Sequence, residues 1–190
     1  MSGEVNTPEL ITFTAGAEGS WIVDRMSAIR GARLAPARRL AIVPGRNVPP
    51  AKNAAWVLRG VISHLRYTTA HEAKALAAQQ PALGREEATR AALIPIRKSA
   101  RWWAAPQDER RAIYEERSRH TTVGLEYLPR IARRLHHSRE LGEPFDFLTW
   151  FEFSPEHEPA FDDLVGRLRT SEEWDYVERE IDIRLTRAKE

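Results

Sequence analysis

The stretch IARRLHHSRELGEPFDFLTWFEF, residues 131–153, decides how the chain is expected to fold. At 131–137 the side chains alternate with a period of two, which is typical of a β-strand. The segment LGEP at 141–144 has the composition of a turn. DFLTWFEF at 146–153 is rich in aromatic and other strand-forming residues, so it predicts a second strand. The stretch as a whole therefore predicts a β-hairpin.

The segments on either side extend the hairpin to a ferredoxin-like unit. Four further elements are predicted: a strand over 88–97, a helix over 108–127, an amphipathic helix over 155–169 and a strand over 174–186. We expect Pro129 to end the first helix, because proline disfavours the α conformation in the residue before it. The order of elements over 88–187 is then βαββαβ, the ferredoxin-like pattern.

The N-terminal part of the chain looks like a second, trimmed copy of this unit. Its predicted elements are short strands over 10–14, 21–23 and 40–43, a long strand over 56–69 and a helix over 71–80. Two such halves can form one closed barrel. We therefore predict an α+β fold of the dimeric α+β barrel type, in which ferredoxin-like halves form a β-barrel flanked by helices. The shortened N-terminal half is expected over 1–87 and the C-terminal half over 88–190.

The composition excludes several classes of protein and site. The chain has 190 residues, no Cys and six His, so a disulfide scaffold and a thiolate metal site are excluded. The 29 Lys and Arg nearly balance the 27 Asp and Glu, giving a net charge of +2, which argues against a nucleic-acid partner. No apolar stretch is long enough to span a membrane, and residues 1–10 lack the order of a signal peptide. These patterns predict a cytoplasmic protein without a membrane partner.

Common catalytic motifs are absent from the sequence. It contains no glycine-rich phosphate loop, no Gly-x-Ser-x-Gly and no His-Glu-x-x-His. His136 and His137 are adjacent on a predicted strand, so they should face opposite sides and cannot chelate one ion together.

His120 is the first candidate for a functional residue. We expect it late in the helix over 108–127, with Gly124 one turn later leaving space over that face. A His with a nearby carboxylate is a usual arrangement for a haem ligand. The alternative is a hydrogen-bonded core or surface His.

Arg133 is the second candidate. On the alternating strand it shares a face with Ile131 and Leu135, and an arginine among apolar neighbours is costly to bury unless it meets an anion. Because Pro129 is expected to end the helix, the chain could fold back there and let Arg133 and His120 face one cavity. The alternative is an ion pair, for which the possible partners are Glu126, Glu140 and Glu152.

A basic and aromatic cluster follows the strand over 88–97. Trp102 and Trp103 come shortly after Arg97 and Lys98. Such a cluster can cover the edge of a flat ligand and pair with its carboxylates. It is equally consistent with core tryptophans beside a surface base.

Three long segments resemble the chlorite dismutase family. They are IPIRKSARWW at 94–103, RHTTVGLEYLPRIARRLHHS at 119–138 and DFLTWFEF at 146–153. The resemblance covers approximately residues 54–187, with the segments in the same order and spacing. It implies a haem b protein built of two ferredoxin-like halves, with the haem in the C-terminal half.

The resemblance also implies roles for the two candidates. His120 matches the axial ligand of the haem iron, and Arg133 matches the arginine on the distal side of the haem. Glu173 matches the acid that accepts the Nδ1 proton of the ligand histidine, with Glu172 as the alternative if the register slips by one.

Further positions match by the same resemblance. Gln80 matches a glutamine on the distal side that is typical of the shorter branch of the family. Tyr67, Lys98 and Trp102 match positions near the propionates and the rim of the haem.

The implied function is conversion of chlorite to chloride and dioxygen, with chlorite as a small anionic substrate. The coproheme decarboxylase branch of the family usually has glutamine in place of the distal arginine, so Arg133 favours chlorite dismutation. The alternatives are a coproheme decarboxylase, a weak haem peroxidase or a haem carrier on the same fold. The short chain resembles the compact branch of the family, which implies a homodimer.

Overall fold

The computed structural model describes residues 9–45, 53–62 and 66–189. Within these segments the strands are β1 Leu10–Gly16, β2 Trp21–Arg30, β3 Arg39–Pro44, β4 Trp56–Ile62, β5 Arg90–Lys98, β6 Ala132–His137, β7 Phe147–Phe153 and β8 Val177–Arg187. The helices are α1 Ala70–Gln79, α2 Ala100–Ala104, α3 Gln107–Arg111, α4 His120–Glu126 and α5 Glu158–Arg169. A π-helical segment, Ala112–Arg117, connects α3 to α4, and short 3-10 turns lie at Arg139–Leu141, Pro155–His157 and Glu172–Tyr176.

The strands close into one antiparallel barrel in the order β1-β3-β2-β8-β5-β7-β6-β4. Read from β4, the N-terminal strands follow the order fourth, first, third, second, and β8-β5-β7-β6 repeats that order in the C-terminal part. This is the ferredoxin-like order, so the predicted fold class is confirmed. In the N-terminal part, residues 17–20 join β1 directly to β2, which agrees with a shortened half. The division of the chain at residue 88 stays a prediction.

Strand β5 is buried on both faces, which explains why its sequence is almost continuously apolar. One face contributes Ala91 and Leu93 to the interior of the barrel, where they pack with Phe13, Leu58 and Trp150. The other face turns outward. Its side chains Ala92 and Ile94 belong to a second core. The other members of this core include Val123 of α4, Phe151 of β7, and Phe161 and Leu164 of α5.

The region between β5 and β6 differs from the predicted single helix over 108–127. It consists of α3, the π-helical segment and α4, and the chain turns sharply at Arg119, whose φ is 54°. His120 is therefore the first residue of α4 and does not lie late in a longer helix. The helix α2 was not predicted, although Ser99 accepts a hydrogen bond from Trp102 N and so supplies a regular N-cap. Helix α4 ends before Pro129, as expected.

The strand predicted over 56–69 is also shorter than expected. Strand β4 ends at Ile62, residues 63–65 lie outside the described part, and Tyr67 occupies a bend with φ of 60°. Thr69 then begins α1 through a capping box with Glu72, in which each residue's side chain accepts from the other's backbone amide. The capping box therefore starts a helix directly after the segment predicted to be a continuous strand.

Helix α1 is fixed to α3 by a half-buried ion pair. The carboxylate of Glu72 accepts from both terminal nitrogens of Arg111, at 2.8 and 2.6 Å, and Arg111 also donates to the carbonyl oxygen of Tyr67. The hydrogen bond from Arg111 lowers the pKa of Glu72 to about 2. Among the described residues, no helix has the length and apolar character needed to span a membrane.

Candidate functional site

A cavity with an empty volume of about 1140 Å³, counted out to the solvent, lies between the outward face of the sheet and the helices that cover it. Side chains of β5, β6 and β7 form one wall, with Ile94, Ile96, Arg133, Leu135, Thr149 and Phe151. The π-helical segment, α4 and α5 form the other, with Tyr114, His120, Gly124, Leu128, Leu164 and Leu168. Arg66, Tyr67, Lys98 and Trp102 also line it. The mainly apolar lining with a few polar groups is that of a site for a small molecule or cofactor.

His120, Glu173 and Lys98 form a buried chain of charge-assisted hydrogen bonds. The Nδ1 atom of His120 is 2.6 Å from Oε2 of Glu173, and Nζ of Lys98 is 2.7 Å from Oε1 of the same carboxylate. Glu173 and Lys98 are each 4% exposed. Burial works to raise the pKa of Glu173, but the charge of Lys98 and the hydrogen bonds from His120 and Lys98 outweigh it and hold the pKa at about 2. The carboxylate therefore stays ionised and accepts a hydrogen bond from the Nδ1–H group of His120, which leaves the Nε2 lone pair free to bind a metal.

Two aromatic rings hold the imidazole of His120 in one plane. The ring of Tyr114 stacks on it with centroids 4.5 Å apart and an interplanar angle of 20°. Trp174 lies parallel to it at 6.1 Å. Because Tyr114 is buried, its pKa is raised to about 12 and it stays neutral. The sequence did not single out Tyr114, since nothing in its neighbourhood along the chain distinguishes it from a core tyrosine.

Arg133 lines the same cavity together with Ile131 and Leu135, as the alternation predicted. Within the described ranges its guanidinium makes no hydrogen bond or ion pair. The carboxylates considered as alternative partners are engaged elsewhere: Glu126 by Arg167 at 2.5 Å, Glu140 by Arg66 at 2.6 Å and Glu152 by Trp150 Nε1 at 2.9 Å. None of these three carboxylates therefore neutralises the charge of Arg133 in the cavity.

Gln80 is positioned against the backbone of Arg133. It follows the last residue of α1, is exposed, and donates from Nε2 to the carbonyl oxygen of Arg133 at 2.5 Å. Its side chain is not among those that line the cavity. Its role on the distal side of a haem stays a prediction.

Tyr67 and Trp102 meet at one end of the cavity. Their rings pack edge to face at 5.6 Å, and Arg110 donates to the Tyr67 hydroxyl at 3.2 Å. Trp102 is fully buried, yet its Nε1 has no partner in the part of the chain that the structure describes. Lys98 also lines the cavity, where its ammonium is bound to Glu173, and its position near the propionates and rim of a haem stays a prediction.

These residues fit a haem. The imidazole of His120 would bind the iron, and most of the lining is apolar. At Gly124 an added Cβ would meet nothing within 4 Å. The orphaned Nε1 donor of Trp102 suits an acceptor on a bound group, such as a carboxylate.

The other residues considered from the sequence, Glu172, His136 and His137, have partners other than His120. Glu172 is exposed and pairs with Arg117 at 3.1 Å, so Glu173 is the residue that reaches His120. His136 and His137 face different surroundings: Nδ1 of His136 is 2.9 Å from the carbonyl oxygen of Leu148, and Nδ1 of His137 accepts from Nε of Arg66 at 3.1 Å. No cluster of His, Asp and Glu among the described residues could hold a metal ion by itself.

Comparison with known proteins gave consistent matches. The family model described as chlorite dismutase matches residues 49–189. A crystal structure of a dimeric chlorite dismutase from Nitrobacter winogradskyi is 56% identical in sequence, with a TM-score of 0.87, over 94% of this chain and 99% of that chain.

More distant relatives agree in fold. The chlorite dismutase of Candidatus Nitrospira defluvii, solved in complex with imidazole, is 20% identical, with a TM-score of 0.68, over 96% of this chain and 92% of that one. A chlorite dismutase of Ideonella dechloratans is 37% identical over 60 residues, which are 32% of this chain and only 20% of that protein.

Proposed function

The chain belongs to the chlorite dismutase family, and on that premise we propose that it is a haem b-dependent chlorite dismutase, which converts chlorite to chloride and dioxygen. The 56% identical relative carries the name of this activity. The proposal includes a homodimer, because that relative is dimeric, and the division of the chain into halves at residue 88.

The observation that carries this proposal is the unbalanced charge of Arg133 in the cavity that His120 lines. A guanidinium among apolar side chains is costly unless an anion meets it. Arginine stays cationic at every accessible pH and presents several donors to an oxyanion. A small oxyanion such as chlorite satisfies both conditions.

The residues present would hold a haem through His120 Nε2, with Trp102 and Tyr67 at its edge. When bound, the haem supplies the redox chemistry by which oxygen leaves chlorine. Glu173 keeps the Nδ1 proton of His120 in a strong hydrogen bond and so makes the imidazole a stronger donor to iron. Lys98 keeps that carboxylate ionised and fixed in position.

Arg133 would bind the chlorite anion and hold it in the cavity while chloride and dioxygen are formed. The apolar walls exclude water, which strengthens this attraction. No general base is required, because chlorite and dioxygen carry no proton to transfer. This agrees with the lining of the described cavity, where His120 is the single histidine and the two acids, Glu173 and Glu180, are paired with Lys98 and Arg169.

The test is to load the purified protein with haem, record the Soret band and measure oxygen release from chlorite with an electrode. We expect one dioxygen and one chloride per chlorite consumed, at a rate far above that of free haem. A protein that forms no Soret complex would overturn the proposal. Conversion of coproheme and peroxide to haem b without oxygen release from chlorite would instead assign it to the decarboxylases. Haem binding with neither reaction would make it a carrier, and slow dye oxidation a weak peroxidase.

A further inference from the structure

Glu115 is a buried acid beside the candidate axial ligand, and nothing in the proposed reaction uses it directly. It lies in the π-helical segment and is 8% exposed. Its carboxylate accepts from Thr121 N at 2.6 Å, from Thr122 N at 3.1 Å and from Thr122 Oγ1 at 2.5 Å. Because α4 begins at His120, these two amides belong to the first turn of the helix that carries the ligand.

Glu115 accepts hydrogen bonds from the backbone amides that an N-cap side chain ordinarily satisfies. The first amides of a helix have no partner within the helix, and a side chain at the N-cap position usually satisfies them. Here Arg119 occupies that position with a left-handed backbone and makes no capping bond with its side chain. The preceding segment is wound so that Arg119 N bonds to Glu115 O at 2.8 Å, which brings the Glu115 carboxylate under α4.

The same corner also holds the partner of His120. Ser118 is buried, and its Oγ accepts from the backbone N–H of Glu173 at 2.8 Å. Ser118 is itself held by a bond from its N–H to Ile113 O at 3.2 Å, a spacing characteristic of the π-helical turn. One short segment thus anchors both sides of the hydrogen bond between His120 and Glu173.

We propose that Glu115 and Ser118 are positioning residues that set the orientation of the imidazole of His120 relative to the carboxylate of Glu173. This inference rests on the proposed function, in which His120 binds iron. Glu115 fixes where α4 begins, and its negative charge interacts favourably with the amide end of that helix. Ser118 fixes the backbone from which Glu173 reaches His120. Neither residue is among those that line the cavity.

The experiment compares Glu115→Gln, Thr122→Val and Ser118→Ala with the wild type. Glu116→Gln is the matched control, because Glu116 is the next residue and is exposed. The first measurement is amide hydrogen exchange in the haem-free protein. In Glu115→Gln we expect exchange at Thr121 and Thr122 to be about tenfold faster, as loss of one ordinary hydrogen bond predicts.

The second measurement is the Fe–His stretching band of the ferrous haem complex, read by resonance Raman spectroscopy. We expect it to shift or broaden in Glu115→Gln and in Ser118→Ala, and to keep the wild-type frequency in Glu116→Gln. Thr122→Val removes only one hydroxyl that donates to Glu115, so it still tests the role of Glu115 if Glu115→Gln does not fold.

Two results would overturn the inference: Glu115→Gln and Ser118→Ala variants that lose thermal stability but keep the wild-type band, and a Glu115→Gln variant whose exchange at 121–122 matches the wild type. These outcomes differ from failure of the proposed function. If the wild type binds no haem, the proposed function fails, while exchange in the haem-free protein still reports whether Glu115 holds the start of α4.

Discussion

Gln80 and Arg133 are 53 residues apart in the chain, yet Nε2 of Gln80 lies 2.5 Å from the carbonyl oxygen of Arg133. The bond joins the C-terminal end of α1 to the start of β6. It acts on the backbone of Arg133 and leaves the guanidinium free for an anion. Gln80 is therefore expected to influence Arg133 by holding its strand in place.

Replacing Gln80 tests this relationship. In Gln80→Ala we expect the haem spectrum to be unchanged and kcat/KM for chlorite to fall by about tenfold or less, which is the effect of losing one exposed hydrogen bond. Gln79→Ala is the control, because Gln79 is also exposed and lies next to it. Equal steady-state kinetics for the two variants would show that Gln80 does not act on Arg133.

Arg133→Ala should remove the anion-binding charge. We expect chlorite turnover to fall by about 10²–10³, the usual cost of losing one preorganised donor to a reacting anion. Arg133→Lys should recover part of the rate, because it restores the charge without the planar fork. Arg134→Ala is the control, since Arg134 is the exposed neighbour on the opposite face of β6. Full turnover by Arg133→Ala in the oxygen electrode contradicts the assigned role.

Glu173→Gln should destabilise the haem-free protein strongly. The change leaves the ammonium of Lys98 buried without a counter-charge, which costs about 3–5 kcal/mol. Glu172→Gln breaks only an exposed ion pair with Arg117 and should cost about 1 kcal/mol or less. Urea unfolding measures both variants. If they have the same free energy of unfolding, the buried chain from Lys98 to His120 is not formed in solution.

The open space over Gly124 predicts opposite results for a small and a large side chain. Gly124→Ala places a Cβ where nothing lies within 4 Å and should stabilise α4 by up to about 1 kcal/mol. Gly124→Leu should fill the cavity and weaken haem binding by about tenfold or more, because overpacking costs about 1–3 kcal/mol. Gly166→Leu, at an exposed position of α5, is the control. The measurement is haem titration followed at the Soret band. Equal haem affinity in both leucine variants and the wild type would refute the prediction.

His136 makes stability depend on pH. Burial lowers its pKa to about 4 from an ordinary value of 6.5, so the folded protein keeps it neutral while the unfolded chain protonates it. Protons therefore favour the unfolded state between those two values. Its contribution is complete above pH 6.5 and falls by up to about 3 kcal/mol as the pH drops to 4.

The measurement is urea unfolding of the haem-free protein at pH 7, 5.5 and 4. In His136→Gln the free energy of unfolding should fall less over this range than in the wild type. His71→Gln, at an exposed position, should keep the wild-type dependence. Identical pH dependence in the wild type and His136→Gln would assign the acid sensitivity to other groups.

The sequence predicted those parts of the molecule whose pattern is local. The hairpin of β6 and β7 followed from alternation and a turn, and the placement of Arg133 with Ile131 and Leu135 followed from the same alternation. The site residues drew on the family resemblance as well, and the structure brings His120, Glu173 and Arg133 to one cavity.

What the sequence could not predict depends on partners distant in the chain. The helix predicted over 108–127 has mostly strong helix formers over 109–117 and weaker ones over 121–124, with no proline within it to mark a break. Its interruption is stabilised by Glu115 under α4 and by Ser118 against Glu173, which are tertiary contacts. The bond between Lys98 and Glu173 joins residues 75 positions apart, so no local spacing indicates it.

Helix α1 has a consequence for the dimensions of the cavity. Its first turn is tied through Glu72 to Arg111, at the start of the segment that leads to His120, and Gln80 at its other end is tied to the backbone of Arg133. Ten helical residues span about 15 Å. The helix therefore acts as a spacer of fixed length between the ligand side and the anion side, so a one-residue insertion or deletion within it should alter the clearance available to a haem and its substrate.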